Sequence, residues 1–160
     1  KDVAQRVRVG AHLSGLSSLH MNNDPQYEDI HYILTHYRTV AVVGFSDSDR
    51  RKAAFYAPAY LKGHGGYTVI PIIPRLEVAL GRPSYASLRD VPDEVDVALI
   101  YLSAKRLGPV VDQAIAIGAK AIWLPVGVVD EEAAARARAA GLRVVMDRCM
   151  MVEHKHLDVD

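Results

Sequence analysis

The chain has 160 residues, half of them hydrophobic and 24 % charged, which suits one globular domain with a core of its own. Nineteen basic and nineteen acidic side chains cancel, so a whole-domain attraction to nucleic acid or an anionic membrane is excluded and any anion site must be a local cluster. A single cysteine, Cys149, excludes an internal disulfide framework and fits a reducing cytoplasm.

No apolar run approaches the roughly 18–20 residues of a membrane span; the best, Val95 to Leu102, carries Asp96 and reads as a buried strand. Residues 1–23 read as an N-terminal extension, partly disordered, without the apolar stretch of a secretory signal. Met21, followed by Asn22-Asn23-Asp24-Pro25, reads as the biological start. The ordered domain is expected over 24–160.

Asp24-Pro25 opens a helix through Tyr37, with Ile30, Ile33, Leu34 and Tyr37 at helical spacing. Thr39 to Val43 is a short β-branched strand ending at Gly44. Residues 52–62 carry Ala53, Ala54, Ala57 and Leu61 on one helical face, stopped by Gly63, Gly65 and Gly66. Tyr67 to Ile73 is a second strand whose Pro71 puts its far end at an edge or out of the ladder. Val95 to Leu102 follows as the third strand.

Gly108-Pro109 suits the first turn of a helix with Val110, Val111, Ala114 and Ile115 as its stripe, ending at Gly118. Ala119 to Leu124 is a fourth strand. Asp130 caps a helix with Glu131 and Glu132 in its first turn and Gly141 at its end, before a fifth strand from Leu142 to Met146. This alternation predicts an α/β, Rossmann-like, doubly wound fold: a mainly parallel five-stranded sheet with helices on both faces. Ligands of such sheets lie beyond the carboxyl ends of the strands.

At the first strand end, Gly44 permits a tight turn, Ser46 offers a hydroxyl, and Arg51 and Lys52 offer charge toward a phosphate at the next helix. With one glycine, this is not the G-x-G-x-x-G fingerprint. At the second strand end stand Pro74 and Arg75, where dinucleotide-binding domains usually carry an acid for a ribose 2′-hydroxyl. An arginine there favours a phosphorylated ribose, 2′ in NADP or 3′ in coenzyme A. Ser103 follows the third strand, as a helix cap or a cofactor contact, and Pro125-Val126-Gly127 makes a turn after the fourth. The tail from Met146 to His156 gathers Asp147, Cys149, Glu153, His154 and His156; Cys149 is a weak candidate nucleophile, and no zinc spacing is present.

Four segments together carry a resemblance: Thr39 to Gly44 with Ser46 and Arg51; Ile70-Pro71-Ile72-Ile73-Pro74; Ala114 to Trp123; and Val145 to Cys149 with Glu153-His154. Their order, from about Pro25 to Leu157, resembles the small stand-alone CoA-binding proteins, which are similar to the N-terminal CoA-binding domain of the succinyl-CoA synthetase α subunit. The resemblance implies a Rossmann-like domain that takes coenzyme A as its ligand. It puts Gly44, Ser46 and Arg51 near the CoA phosphates, and Pro74 and Arg75 beside the 3′-phosphate. Tyr101, Leu102 and Ser103 would line the adenine–ribose region, and Pro125, Val126 and Gly127 the pantetheine arm. The second domain that carries the synthetase's phosphorylated histidine has no counterpart in these segments, so ligase chemistry is not carried over.

Three functions follow. The first is a module that binds CoA or an acyl-CoA as carrier or sensor, without catalytic activity of its own. The second is an NADP-dependent oxidoreductase, and the third a CoA-linked thiol–disulfide protein using Cys149. A homodimer or an unidentified protein partner stays open, while nucleic acid and membrane are not expected as partners.

Overall fold

The computed structural model describes residues 23–46 and 48–159. All but the last residue of the extension expected at 1–23, and the Met21 start with it, lie outside the described residues. In chain order the elements are α1 (Tyr27–His36), β1 (Thr39–Val43), α2 (Ala53–His64), β2 (Thr68–Ile72), β3 (Val78–Ala79), β4 (Arg82–Pro83), a 3₁₀ turn (Leu88–Asp90) and β5 (Val97–Ile100). They continue with α3 (Ala104–Ala116), β6 (Ala121–Trp123), α4 (Glu131–Ala139), β7 (Arg143–Val145) and α5 (Met150–Val159).

Five strands join in the order β2-β1-β5-β6-β7, every pair parallel. The fold is the expected doubly wound α/β sheet. Its strands are apolar on both faces because helices cover both. On one face Ala41, Ile70, Ala98, Ile122 and Val144 pack with Leu107, Val111 and Ala114 of α3 and Ala133, Ala134 and Ala137 of α4. On the other, Val40, Val42, Val69, Leu99 and Trp123 pack with Ile30, Ile33 and Leu34 of α1, Leu61 of α2 and Met150 of α5. Alternate residues of one strand thus enter different cores, as the two-residue period of a strand requires.

Pro71 lies on the edge strand β2 in register with Val42, and the Tyr85 N–H donates to its carbonyl at 3.1 Å. Since a residue's N–H and C=O share one side of a strand, the donor that proline lacks belongs to the outer side, where β1 does not need it. Residues 74–94, which carry no periodic signal, fold as a two-strand hairpin of β3 and β4 and the 3₁₀ turn, beside that edge.

Two elements differ from expectation. The helix expected to open at Gly108-Pro109 begins a turn earlier at Ala104, with Ser103 as its extended N-cap and Pro109 inside. Pro109 is the sixth residue of this helix, past the first turn, so it removes the i→i−4 bond to the Lys105 carbonyl. The tail read as a polar cluster forms α5, whose first residue Met150 is buried against Trp123's face of the sheet.

Candidate functional site

The sheet order places the site. The chain leaves β1 for β2 on one side, then returns past β1 to β5 and continues to β6 and β7 on the other. The connections therefore diverge between the carboxyl ends of β1 and β5, leaving a crevice there. Gly44 and Tyr101 form its floor. The Tyr101 N–H donates to the Val43 carbonyl at 2.8 Å, and Gly44 turns away at φ 83°. A Cβ on Gly44 would lie 2.4 Å from the Tyr101 carbonyl oxygen, so only glycine lets the two strand ends approach this closely.

Two cavities meet at this point. One, of about 480 Å³, runs toward β2 and is lined by Gly44 and Phe45, by Pro74 and Arg75, and by Arg106 of α3. The other, of about 590 Å³, runs toward α5. Ala53 and Tyr56 of α2 line it, as do Ser103, Pro125, Val126, Cys149, Met151 and Val152. Tyr101 and Leu102 line both. The first cavity carries two exposed guanidinium groups, whereas no charged side chain lines the second. Burial, with Cys149 and Tyr56 nearby, pushes the Tyr101 hydroxyl well above the usual tyrosine range, so it stays a neutral group.

Of the residues expected at the site, Gly44, Pro74, Arg75, Tyr101, Leu102, Ser103, Pro125, Val126 and Cys149 line one cavity or both. Ser46, Arg51, Lys52 and Gly127 line neither. The Ser46 N–H donates to the Ala54 carbonyl at 3.1 Å, folding the loop back on α2, and Phe45 is buried against Phe55. Asp49 accepts from both the backbone N–H and the Nε of Arg51, at 3.0 and 3.1 Å. Those two bonds hold the Asp49 carboxyl below its ordinary range, while Arg51 itself faces solvent. Lys52 is the N-cap of α2 without a side-chain capping bond.

Gly127 has a supporting part. At φ 84° its N–H donates to Asp147 Oδ1 at 2.7 Å, which ties the turn after β6 to the loop after β7. Asp147 takes a left-handed φ of 60°, a conformation aspartate tolerates better than most residues. The adjoining Arg148 pairs with Asp24 at 2.9 Å, and its carbonyl accepts from the Trp123 indole at 2.8 Å. These bonds fix the segment that presents Cys149 just ahead of α5.

Arg106, Tyr56, Met151 and Val152 were not singled out as site residues from sequence. An arginine four residues past the expected strand end at Leu102 is the signal available for Arg106, whereas Tyr56 and Met151 come together only once α2 and α5 pack. His154, one of the two histidines of the tail that carries Cys149, shares a hydrogen bond between its Nδ1 and the Tyr60 hydroxyl at 2.9 Å. Among the described residues no group of three His, Cys, Asp or Glu is placed to hold a metal, and no helix is long and apolar enough to cross a membrane.

Residues 38–155 match the family described as CoA binding domain. The chain belongs to that CoA-binding family. It is 30 % identical to the uncharacterized protein YneT of Bacillus subtilis over 131 residues, covering 82 % of this chain and 96 % of that one. A solved structure of a hypothetical protein from Pyrococcus horikoshii is 42 % identical, with a TM-score of 0.76 over 81 % of this chain and 90 % of the other. The dinucleotide-forming acetyl-coenzyme A synthetase 1 of Ca. Korarchaeum cryptofilum, solved with phosphate and ADP, is 28 % identical with a TM-score of 0.61. This CoA-binding family member covers only 26 % of that synthetase chain, so the likeness concerns one of its regions.

Proposed function

We propose that the chain binds coenzyme A or an acyl-CoA across the two strand-end cavities, as a carrier or sensor without catalytic activity of its own. The observation that carries this reading is the order of polarity along one continuous groove. A cavity flanked by Arg75 and Arg106 opens, through the shared Tyr101 and Leu102, into one without charged side chains. Coenzyme A has the same order, a phosphorylated nucleotide at one end and a slender pantetheine arm with its thiol at the other.

Arg75 and Arg106 would take the 3′-phosphate with Pro74 beside it, because a guanidinium presents paired donors to phosphate oxygens. Gly44 lets the ligand approach the backbone at the crevice. Arg51 and Lys52 would supply charge to the pyrophosphate from the loop, with Arg51 exchanging Asp49 for the ligand and the Ser46 hydroxyl adding a donor. Tyr101, Leu102 and Ser103 would line the nucleoside, and Pro125 and Val126 the arm, with Gly127 holding that turn in place.

The test is calorimetric titration with CoA, dephospho-CoA and NADPH side by side. CoA is expected to bind, with dephospho-CoA and Arg75→Glu each weakening binding by about tenfold or more, the worth of a charge-assisted contact. Binding of NADPH without CoA would replace this reading with that of an NADP-dependent oxidoreductase. Binding of neither would overturn both.

A second reading is favoured by the place of Cys149 on the apolar cavity, beside Pro125 and Val126. The Cys149 thiolate would attack one sulfur of CoA disulfide, forming a protein–CoA mixed disulfide and releasing the other CoA as thiolate. Incubation with CoA disulfide would then give a reducible adduct of CoA mass that Cys149→Ser lacks. An unmodified wild-type protein removes this reading.

A further inference from the structure

We propose that the cavity between α2 and α5 is an acyl pocket that selects thioesters of uncharged, aliphatic acyl groups over both free CoA and dicarboxylic acyl-CoA. This rests on the CoA reading above and assigns the part of the groove beyond the arm.

The lining comes from four places: α2, the end of β5, the turn after β6 and the start of α5. The residues with polar side chains in that lining are Ser103, Tyr56, Tyr101 and Cys149, none of them charged as carboxylate, ammonium or guanidinium. Of the charged residues that flank this lining in sequence, Glu153 lies toward Arg148 at 4.0 Å and Lys155 over the Tyr60 ring at 5.2 Å, while Lys52 and Lys105 do not line the cavity. A carboxylate carried into this space would lose water without gaining a cation, and buried unpaired charge is strongly disfavoured.

The same space collects apolar surface that the fold leaves uncovered. Among the described residues five large hydrophobic side chains are exposed, and three of them, Tyr56 at 41 %, Val126 at 67 % and Val152 at 38 %, line this one cavity. Such concentration marks a surface that a ligand covers. The occupant is the acyl chain rather than a second protein because the cavity shares Tyr101 and Leu102 with the cationic one. A ligand anchored by its phosphates is thereby led into it. About 590 Å³ is ample for an arm and a short chain, and flexible Met151 adapts to chains of differing length.

The experiment is a titration series of the full chain with CoA, acetyl-CoA, butyryl-CoA, hexanoyl-CoA and succinyl-CoA, with light scattering of the same samples. Affinity is expected to rise by up to about fourfold for each added methylene, the factor for burying one CH₂, and succinyl-CoA to bind at least about tenfold more weakly than butyryl-CoA. Val152→Lys, a partly exposed position on α5, should invert the butyryl-to-succinyl ratio. That ratio is taken within one variant and does not depend on its overall stability. CoA binding with a flat acyl series overturns the acyl pocket and leaves the CoA reading intact. No binding of CoA or any thioester overturns the CoA reading and the pocket with it. A flat series with a dimer that Val152→Lys dissociates assigns the cavity to a second copy of the chain and overturns the pocket.

Discussion

Gly44 combines two constraints that usually occur apart. Its φ of 83° is one that side chains rarely adopt, and the position of its absent Cβ lies 2.4 Å from the Tyr101 carbonyl oxygen. Alanine would carry the strain of the left-handed conformation and would also push the ends of β1 and β5 apart, where the Tyr101 N–H bonds Val43. Gly44→Ala is expected to cost about 2–4 kcal/mol in urea unfolding, with ligand affinity lost alongside. A variant as stable as the parent would show that the crevice opens without cost. Gly127→Ala has no such second constraint, since no atom lies within 4 Å of the added Cβ. The milder loss expected there, about 1–2 kcal/mol, isolates the conformational part.

At the scale of elements, Asp96 clamps the start of the sheet opposite the site. Its Oδ2 accepts from the backbone N–H groups of Arg38 and Thr39 at 2.9 and 3.1 Å, and its Oδ1 lies 3.2 Å from Lys120 Nζ. One carboxylate thus joins the entries to β1 and β6 to that of β5. Burial alone would raise its pKa, but the two amides and Lys120 outweigh it, and the carboxyl ends below its ordinary range. With the folded pKa depressed, the stabilisation is fully present above the unfolded value, about 4, and is lost as pH falls through the folded one. Asp96→Asn is expected to lower stability by about 1–3 kcal/mol at neutral pH. The gap between variant and parent should close as denaturant curves are repeated below about pH 4. A gap that stays constant with pH would mean that the charge contributes nothing and that the geometry alone matters.

The described residues place a five-stranded sheet between two cores, and a ligand bound along its strand ends would touch residues from both halves of that sheet. Occupancy should therefore stabilise the domain as a unit. At a free ligand concentration about 100 times Kd, linkage gives roughly 2.7 kcal/mol, or a rise in Tm of about 5–10 °C for a domain of this size. Trp123, the single tryptophan and fully buried on β6, reports this by fluorescence. Coincident fluorescence and ellipticity transitions, both raised by CoA, are the expected outcome. A fluorescence transition that CoA leaves in place would mean that the ligand does not bind the folded sheet.

The sequence by itself determined the alternation of strands and helices and the strand ends beside which both cavities lie, and it limited Pro71 to an edge or to a place out of the ladder. Each of these is written in local periodicity or in a residue with a narrow conformational range. The tight turn at Gly44 and the arginine after β2 are legible for the same reason. The start of α3 and the whole of α5 were not: Pro109 mimics a first turn, and Met150 to His156 lacks a clean amphipathic stripe because α5 buries little beyond Met150 and is otherwise partly open. Tertiary structure alone decided that Cys149 faces an apolar cavity, that Arg106 joins Arg75, and that Arg51 is paired with Asp49. Those facts depend on how α2, α3 and α5 pack over the strand ends, or on how one loop folds back on itself, and contacts between segments up to about a hundred residues apart leave no periodic trace in a single sequence.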